Sequence, residues 1–176
     1  MQQRFYFCPK CGGKLSCLPY DQRERLTCES CHFIMYENPI VGVAGILIQE
    51  DRILLGRRSQ SSTYPGLWCI PCGYVEYEEE VREALKREFG EETGLRIEPQ
   101  NVFAVLSNFH NPACHTVGIW FIVTQTGGSL TAGDDLDQAA FFSLDAIPPL
   151  AFPTDATVID MLAKGRKIGE FSVAGK

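Results

Sequence analysis

The chain has 176 residues, 45% hydrophobic and 22% charged, which makes one full domain with a small appendage and leaves no case for wholesale disorder. Its 16 basic and 22 acidic residues give a net charge of −6, a poor balance for a general nucleic-acid sleeve, although a local basic cleft stays open. The longest apolar run, residues 40–48, is too short for a bilayer span of about 20 residues, and residues 1–7 leave no room for a secretory apolar region, so the expected compartment is cytoplasmic.

Residues 1–38 differ from the rest in holding five of the eight cysteines and little apolar periodicity. In a reducing compartment such cysteines read as metal ligands or free thiols rather than a disulfide frame. Cys8-x-x-Cys11 and Cys28-x-x-Cys31 are separated by 16 residues, and two such knuckles supply four thiolates for a closed tetrahedral Zn²⁺ site. Gly12-Gly13 suits the tight turn at the metal. A closed site has no open coordination position, so its role is structural. Cys17 and His32 read as bystanders. The pattern resembles a zinc ribbon, a module that grips nucleic acid or serves as a rigid dimer or docking element. The ribbon's few basic residues (Arg4, Lys10, Lys14, Arg23 and Arg25) argue against strong RNA binding. Asn38-Pro39 marks a boundary, giving expected domains at 1–38 and 39–165 with a tail at 166–176.

Beyond the boundary the patterning predicts strands at 41–48 and 52–55 around a Glu50-Asp51 hairpin turn. A Tyr64-Pro65-Gly66 turn precedes a strand at 67–70. A helix is expected over 78–92, acidic in its first turn and stopped by Gly94. Strands at 101–106 and 117–126, a Gly127-Gly128 turn, a strand at 139–142 and a helix at 155–163 follow. Strands outnumber helices and mix with them, so the fold class is α/β or α+β with mixed sheets.

On the first helix, with Val81 as angular origin and ~100° per residue, Ala84, Leu85 and Phe89 form an apolar stripe. Glu88 and Glu92 fall inside that stripe, at roughly −20° and 20°, and Glu91 sits at its edge near roughly −80°. Buried unpaired carboxylates are costly, and three of them at a helix C-terminus repel each other and the dipole. Arg87 offsets part of this. A cluster of hard oxygen ligands is what Mg²⁺ or Mn²⁺ uses, usually together with substrate phosphates; the plainer alternative is a solvated acidic helix end.

The run Gly73-x5-Glu79-x7-Arg87-Glu88-Phe89-x-Glu91-Glu92-x-Gly94-Leu95 resembles the Nudix box at each of nine fixed positions over 23 residues. Gly66-Leu67-Trp68 ahead of it and Leu144-Asp145-Ala146-Ile147-Pro148 behind it agree with that family. The resemblance, over about residues 41–163, implies a Nudix α/β/α sandwich with the box forming loop, helix and loop. It implies Glu88, Glu91 and Glu92 as Mg²⁺ or Mn²⁺ ligands, with a backbone carbonyl at Cys72 or Gly73. It implies a Glu79–Arg87 salt bridge bracing the box, and hydrolysis of a nucleoside diphosphate linked to another moiety. Many members carry a glutamate just before the strand at 139–142, where this sequence has Gln138; an amide is no base, so Asp135, Asp137 or Glu76 has to serve.

A zinc ribbon ahead of a Nudix domain resembles NADH pyrophosphatase, but the SQPWPFP signature of that group is absent from residues 106–112, which read Leu-Ser-Asn-Phe-His-Asn-Pro. The layout is closer to ADP-ribose and FAD diphosphatases, which implies a small dinucleotide or nucleotide-sugar substrate, AMP as product and a homodimer. NADH or NAD-capped RNA is the alternative substrate, and a nucleotide- or RNA-binding regulator the alternative function. Trp68 and Phe109, with Tyr64 and Phe152, are candidates to stack on a base, and Arg57 or Arg58 to meet phosphate. Cys69-x-x-Cys72 is either strand packing or a redox dithiol.

Overall fold

The computed structural model describes residues 4–168 and divides into two compact units, Met1–Asn38 and Pro39–Lys176. No helix among the described residues is long and apolar enough to cross a membrane.

The first unit is a three-stranded antiparallel sheet of β1 (Leu15–Tyr20), β2 (Arg23–Cys28) and β3 (Ile34–Met35) in that order. Asp21 and Gln22 both take positive φ (47° and 62°), the two-residue turn whose twist matches the strands it joins. These strands escape sequence patterning because only Leu15 of β1 is buried. The core is Cys8, Leu15, Leu26 and Cys28, with Phe33 and Met35 against it. So small a core rarely holds a unit together without a metal or cross-link.

The second unit is built on β4 (Ile40–Gln49), β5 (Arg52–Arg58), β6 (Trp68–Cys69), β7 (Cys72–Tyr74), α1 (Val81–Thr93), β8 (Leu95–Asn108), β9 (Thr116–Gly128), β10 (Leu136–Ser143) and α2 (Pro153–Ile168). Its mixed sheet runs β10-β5-β4-β9-β8, with β6 on β5 and β7 on β4. The β4–β9 pair is parallel and the other pairs are antiparallel. Along β4, Val43 and Leu47 pack with Leu85 and Phe89 of α1, while Ala44 and Ile46 pack with Val158, Ile159 and Leu162 of α2. Burial on both faces explains why β4 reads as a continuous apolar run rather than an alternation. The result is the expected α/β/α sandwich with mixed strands.

Several element ends differ from the sequence expectations. Helix α1 begins at Val81, not at 78, because Glu80 caps it, accepting from Arg82 N (2.8 Å) and Glu83 N (3.2 Å). Glu78 has a φ of 67°, which no helix accommodates. The helix stops where expected, with Gly94 in the left-handed region at φ 68° and its N–H on Gly90 O at 2.9 Å. The strand expected at 67–70 is cut to β6, and β7, beyond Pro71, was not expected. β8 and β10 outrun their expected ranges, and α2 starts at Pro153, a residue suited to a first helical turn, and runs to Ile168. The helix thus occupies the start of the expected tail at 166–176, whose residues 169–176 lie outside the described residues.

Candidate active site

In the first unit, the Sγ atoms of Cys8, Cys11, Cys28 and Cys31 all lie within 4.8 Å of one another. Cys8–Cys31 and Cys11–Cys28 stand at 3.8 and 3.5 Å. Sulfurs about 2.3 Å from a tetrahedral zinc sit about 3.8 Å apart, so the spacing fits that ion. Both knuckles share one backbone plan. Gly12 N reaches Cys8 O at 2.8 Å and His32 N reaches Cys28 O at 3.0 Å, with Gly12 and His32 both at positive φ. Backbone N–H groups also point at sulfur, Lys10 N at Cys8 (3.4 Å) and Cys31 N at Cys28 (3.5 Å). The Cys31 N–H, against the opposing effect of burial, pulls the Cys28 thiol down to about 6, which favours thiolate. These four residues could hold zinc. Cys17 contacts Glu24 instead, at 3.8 Å.

In the second unit, a cleft of about 610 Å³ opens over β4, β7 and the C-terminal half of α1. Arg87 organises its acidic side. It grips Glu79 through two bonds (Nε–Oε1 2.8 Å, Nη2–Oε2 2.9 Å) and also donates to Glu88 Oε1 (2.7 Å), Glu91 Oε2 (3.3 Å) and Tyr74 O (3.1 Å). The guanidinium holds the Glu79 carboxyl far below its usual range, at about 2. The half-buried Glu88 is pushed upward by burial against the pull of Arg87. Glu92 is 1% exposed, and its Oε2 accepts from Cys72 N at 2.8 Å. Burial drives its carboxyl up to about 8. A Cβ at Gly73 would overlap the Glu88 carboxylate, so glycine is what lets the acid approach the loop backbone. Glu88, Glu92 and Gly73 line the cleft; Glu91 and Glu79 stand beside it. Among the described residues, only the four cysteines bring three or more ligand atoms within 4.8 Å of each other.

The opposite wall comes from loops. Arg58 is 6% exposed and donates to Thr63 O (2.8 Å), Thr63 Oγ1 (3.1 Å) and Asp135 Oδ2 (3.0 Å). This ties down the loop that carries Tyr64, itself at φ 58°. Tyr64, His110 and Phe152 form a triad of rings, with centroids 5.8, 5.8 and 6.0 Å apart. Arg58 lies over Phe152 at 5.6 Å.

Three of the residues expected to touch substrate are not in the cleft lining. Arg57 is adjacent to Arg58 on β5 and so points to the other face, where it pairs with Asp137 at 2.7 Å. Trp68 packs edge-on to Phe142 at 4.7 Å. Phe109 is 66% exposed and packs edge-on to His115 at 5.0 Å. Their neighbours Arg58, His110 and Phe152 line the cleft instead. Gln138 is exposed on β10 outside the lining, and Asp137 is held by Arg57, whereas Glu76, Asp134 and Asp135 do line it. Cys69 and Cys72 are both free thiols; the Cys69 contact and burial push the Cys72 thiol well above its usual range, opposite to what a reactive dithiol needs.

Sequence reasoning passed over Asp155. It is 2% exposed, and its oxygens accept from Ile70 N (3.0 Å) and Trp120 Nε1 (3.1 Å), so it pins the start of α2 to the strands under the cleft. Burial pushes its carboxyl to about 7. The signal was available, since Asp155 shares the i, i+3, i+4, i+7 stripe with Val158, Ile159 and Leu162. His110 carried no such signal in a polar loop.

Residues 38–162 match the family described as NUDIX domain, and residues 6–37 match the one described as Nudix N-terminal, a zinc ribbon. An ADP-ribose pyrophosphatase of Methanocaldococcus jannaschii is 38% identical over 129 residues, covering 73% of this chain and 76% of that protein. The NAD-capped RNA hydrolase NudC of Pseudomonas aeruginosa is 28% identical over 145 residues, covering 82% of this chain but only 50% of its own length. The crystal structure of a NUDIX hydrolase from Nitrosomonas europaea superposes with a TM-score of 0.82 at 28% identity, covering 94% of each chain. With the box helix and its cleft in one match and the four-cysteine module in the other, the chain belongs to the Nudix hydrolase family, with that family's N-terminal zinc ribbon.

Proposed function

We propose that this chain hydrolyses the diphosphate of a nucleoside diphosphate linked to a second group, with ADP-ribose first and FAD second, releasing AMP. The observation that carries this reading is the pairing of an acidic floor, the half-buried Glu88 and the buried Glu92, with a wall of three rings across one cleft. The likeness to an ADP-ribose pyrophosphatase over three quarters of both chains supports the choice of first substrate.

The oxygen donors available are Glu88, Glu91 and Glu92 with the Gly73 carbonyl, a hard set that suits Mg²⁺ or Mn²⁺. A divalent ion held there neutralises diphosphate charge and lowers the pKa of a bound water. The protein's own share is positional. Arg87, anchored by Glu79, holds the loop at Tyr74 against the helix. The Cys72 N–H orients Glu92. The ring wall keeps water from the far side of the substrate. The water's proton passes to Glu76 or Asp134: of the cleft carboxylates for which no ion pair is recorded among the described residues, Glu92 is taken as a cation ligand and Asp155 is buried against Ile70 N and Trp120 Nε1. Separate Glu76→Gln and Asp134→Asn variants identify which.

The test is AMP release from ADP-ribose, FAD, NADH and NAD-capped RNA with Mg²⁺ or Mn²⁺. Preference for ADP-ribose or FAD supports the reading. Turnover of NADH or capped RNA alone replaces it with the activity named for the Pseudomonas relative. The family-derived expectation of a homodimer is checked by light scattering on the same preparation.

A further inference from the structure

The loop between β8 and β9 fixes a histidine in one tautomer. The His110 backbone N–H donates to Asn108 Oδ1 at 3.2 Å, so the Asn108 amide turns its oxygen, not its nitrogen, toward this loop. The same oxygen meets His110 Nδ1. Two acceptors cannot share that contact, so Nδ1 carries the proton and donates it. A neutral imidazole protonated at Nδ1 has Nε2 as an acceptor, and no partner for Nε2 is recorded among the described residues.

This acceptor belongs to a side chain that lines the cleft beside two aromatic faces, Tyr64 at 5.8 Å and Phe152 at 6.0 Å. Such faces stack on any base and tell none apart. A fixed acceptor does discriminate. Position 6 of adenine is an N–H₂ donor, and position 6 of hypoxanthine or guanine is a carbonyl acceptor. The amino group gains a hydrogen bond from Nε2, whereas the carbonyl would face it lone pair to lone pair.

We propose that His110, held in its Nδ1–H tautomer by Asn108, is a specificity residue that selects 6-aminopurine over 6-oxopurine nucleotides. The proposal rests on reading this cleft as a nucleoside diphosphate site. It extends that reading from the diphosphate to the base.

Base choice is measured without chemistry, as calorimetric binding of AMP and IMP to the full chain and to its His110→Phe and Asn108→Ala variants. The full chain is expected to bind AMP roughly three- to tenfold more tightly than IMP, the net worth of one hydrogen bond. His110→Phe keeps an aromatic face and loses the acceptor, so the ratio falls to about one. Asn108→Ala frees the ring to present an Nε2–H, so IMP gains and the ratio falls again. Equal binding by the full chain, no measurable binding of AMP, or a preference that survives His110→Phe overturns the proposal. ADP-ribose hydrolysis by the same preparations is scored separately. Its loss with base preference intact breaks the diphosphatase reading and leaves the base reading standing.

Discussion

The two units solve opposite problems with charged and soft ligands. The ribbon buries four hydrophobic residues, two of them cysteines, and draws its sulfurs together at 3.5 to 3.8 Å. The sandwich buries both faces of its central strand and ties its carboxylates to Arg87 and to a backbone N–H. In the first, four sulfurs stand where a metal ion could help hold a small core together. In the second the fold is secured by apolar packing, and a partly buried acidic floor is tolerated within it. On the proposed function, the difference separates ligands that make structure from ligands that wait for a substrate.

Removing zinc is the largest way to break the comparison. Binding of a structural zinc to small four-ligand modules contributes on the order of 10 kcal/mol. Strong chelation, or Cys28→Ser, is therefore expected to abolish the ribbon's amide-exchange protection while strands β4, β5 and β9 stay protected. Loss of protection in both units would show that the sandwich depends on the metal as well.

Phe89→Ala reverses the target. Phe89 is fully buried against Val43 and Phe121, and its truncation is expected to cost about 3–5 kcal/mol in chemical denaturation of the sandwich. The ribbon's zinc content is expected to stay constant.

Glu92 sharpens the contrast further. Its folded carboxyl, at about 8, lies above the ordinary value of 4.5. The unfolded chain releases this proton first, so the contribution is fully present below the unfolded value and is lost as pH rises to 8 and beyond. Glu92→Gln removes that slope and is expected to stabilise the sandwich by a few kcal/mol at about pH 9, while AMP release falls by about a hundredfold or more. Thermal melts from pH 5 to 9, with turnover at each pH, check both signs.

Glu79→Gln is the mildest change. Its carboxyl is held at about 2, so its contribution is present above 4.5 and is lost as pH falls toward 2. Turnover is expected to drop about tenfold, since Arg87 loses its bidentate anchor, and the acid limb of the melt flattens.

Much of the site was legible because its chemistry is local in sequence. The cysteine knuckles and the helix from Arg87 to Glu92 each place several functional groups within one turn or one helix, where spacing translates into geometry. The ring wall was legible only in part, since Tyr64 and Phe152 stood among four stacking candidates and His110 did not. Tyr64, His110 and Phe152 come from three separate loops, and a one-residue change of face put Arg58 rather than Arg57 in the cleft. The ribbon's strands were missed because alternation needs a buried face, and theirs amounts to Leu15 of β1 and Leu26 and Cys28 of β2. The early start drawn for α1 failed at Glu80, whose carboxylate caps the helix rather than extending it.

The central claim, that Glu92 and its neighbours take a divalent cation, is tested most directly by Mn²⁺ binding followed by electron paramagnetic resonance between pH 6 and 9. Because the buried Glu92 carboxyl sits at about 8, each bound ion must displace a proton. The account predicts an affinity that rises by about tenfold per pH unit up to about pH 8 and then levels, and a Glu92→Gln protein with weak, pH-independent binding. A pH-independent affinity in the parent chain, or tight binding that survives Glu92→Gln, would contradict it.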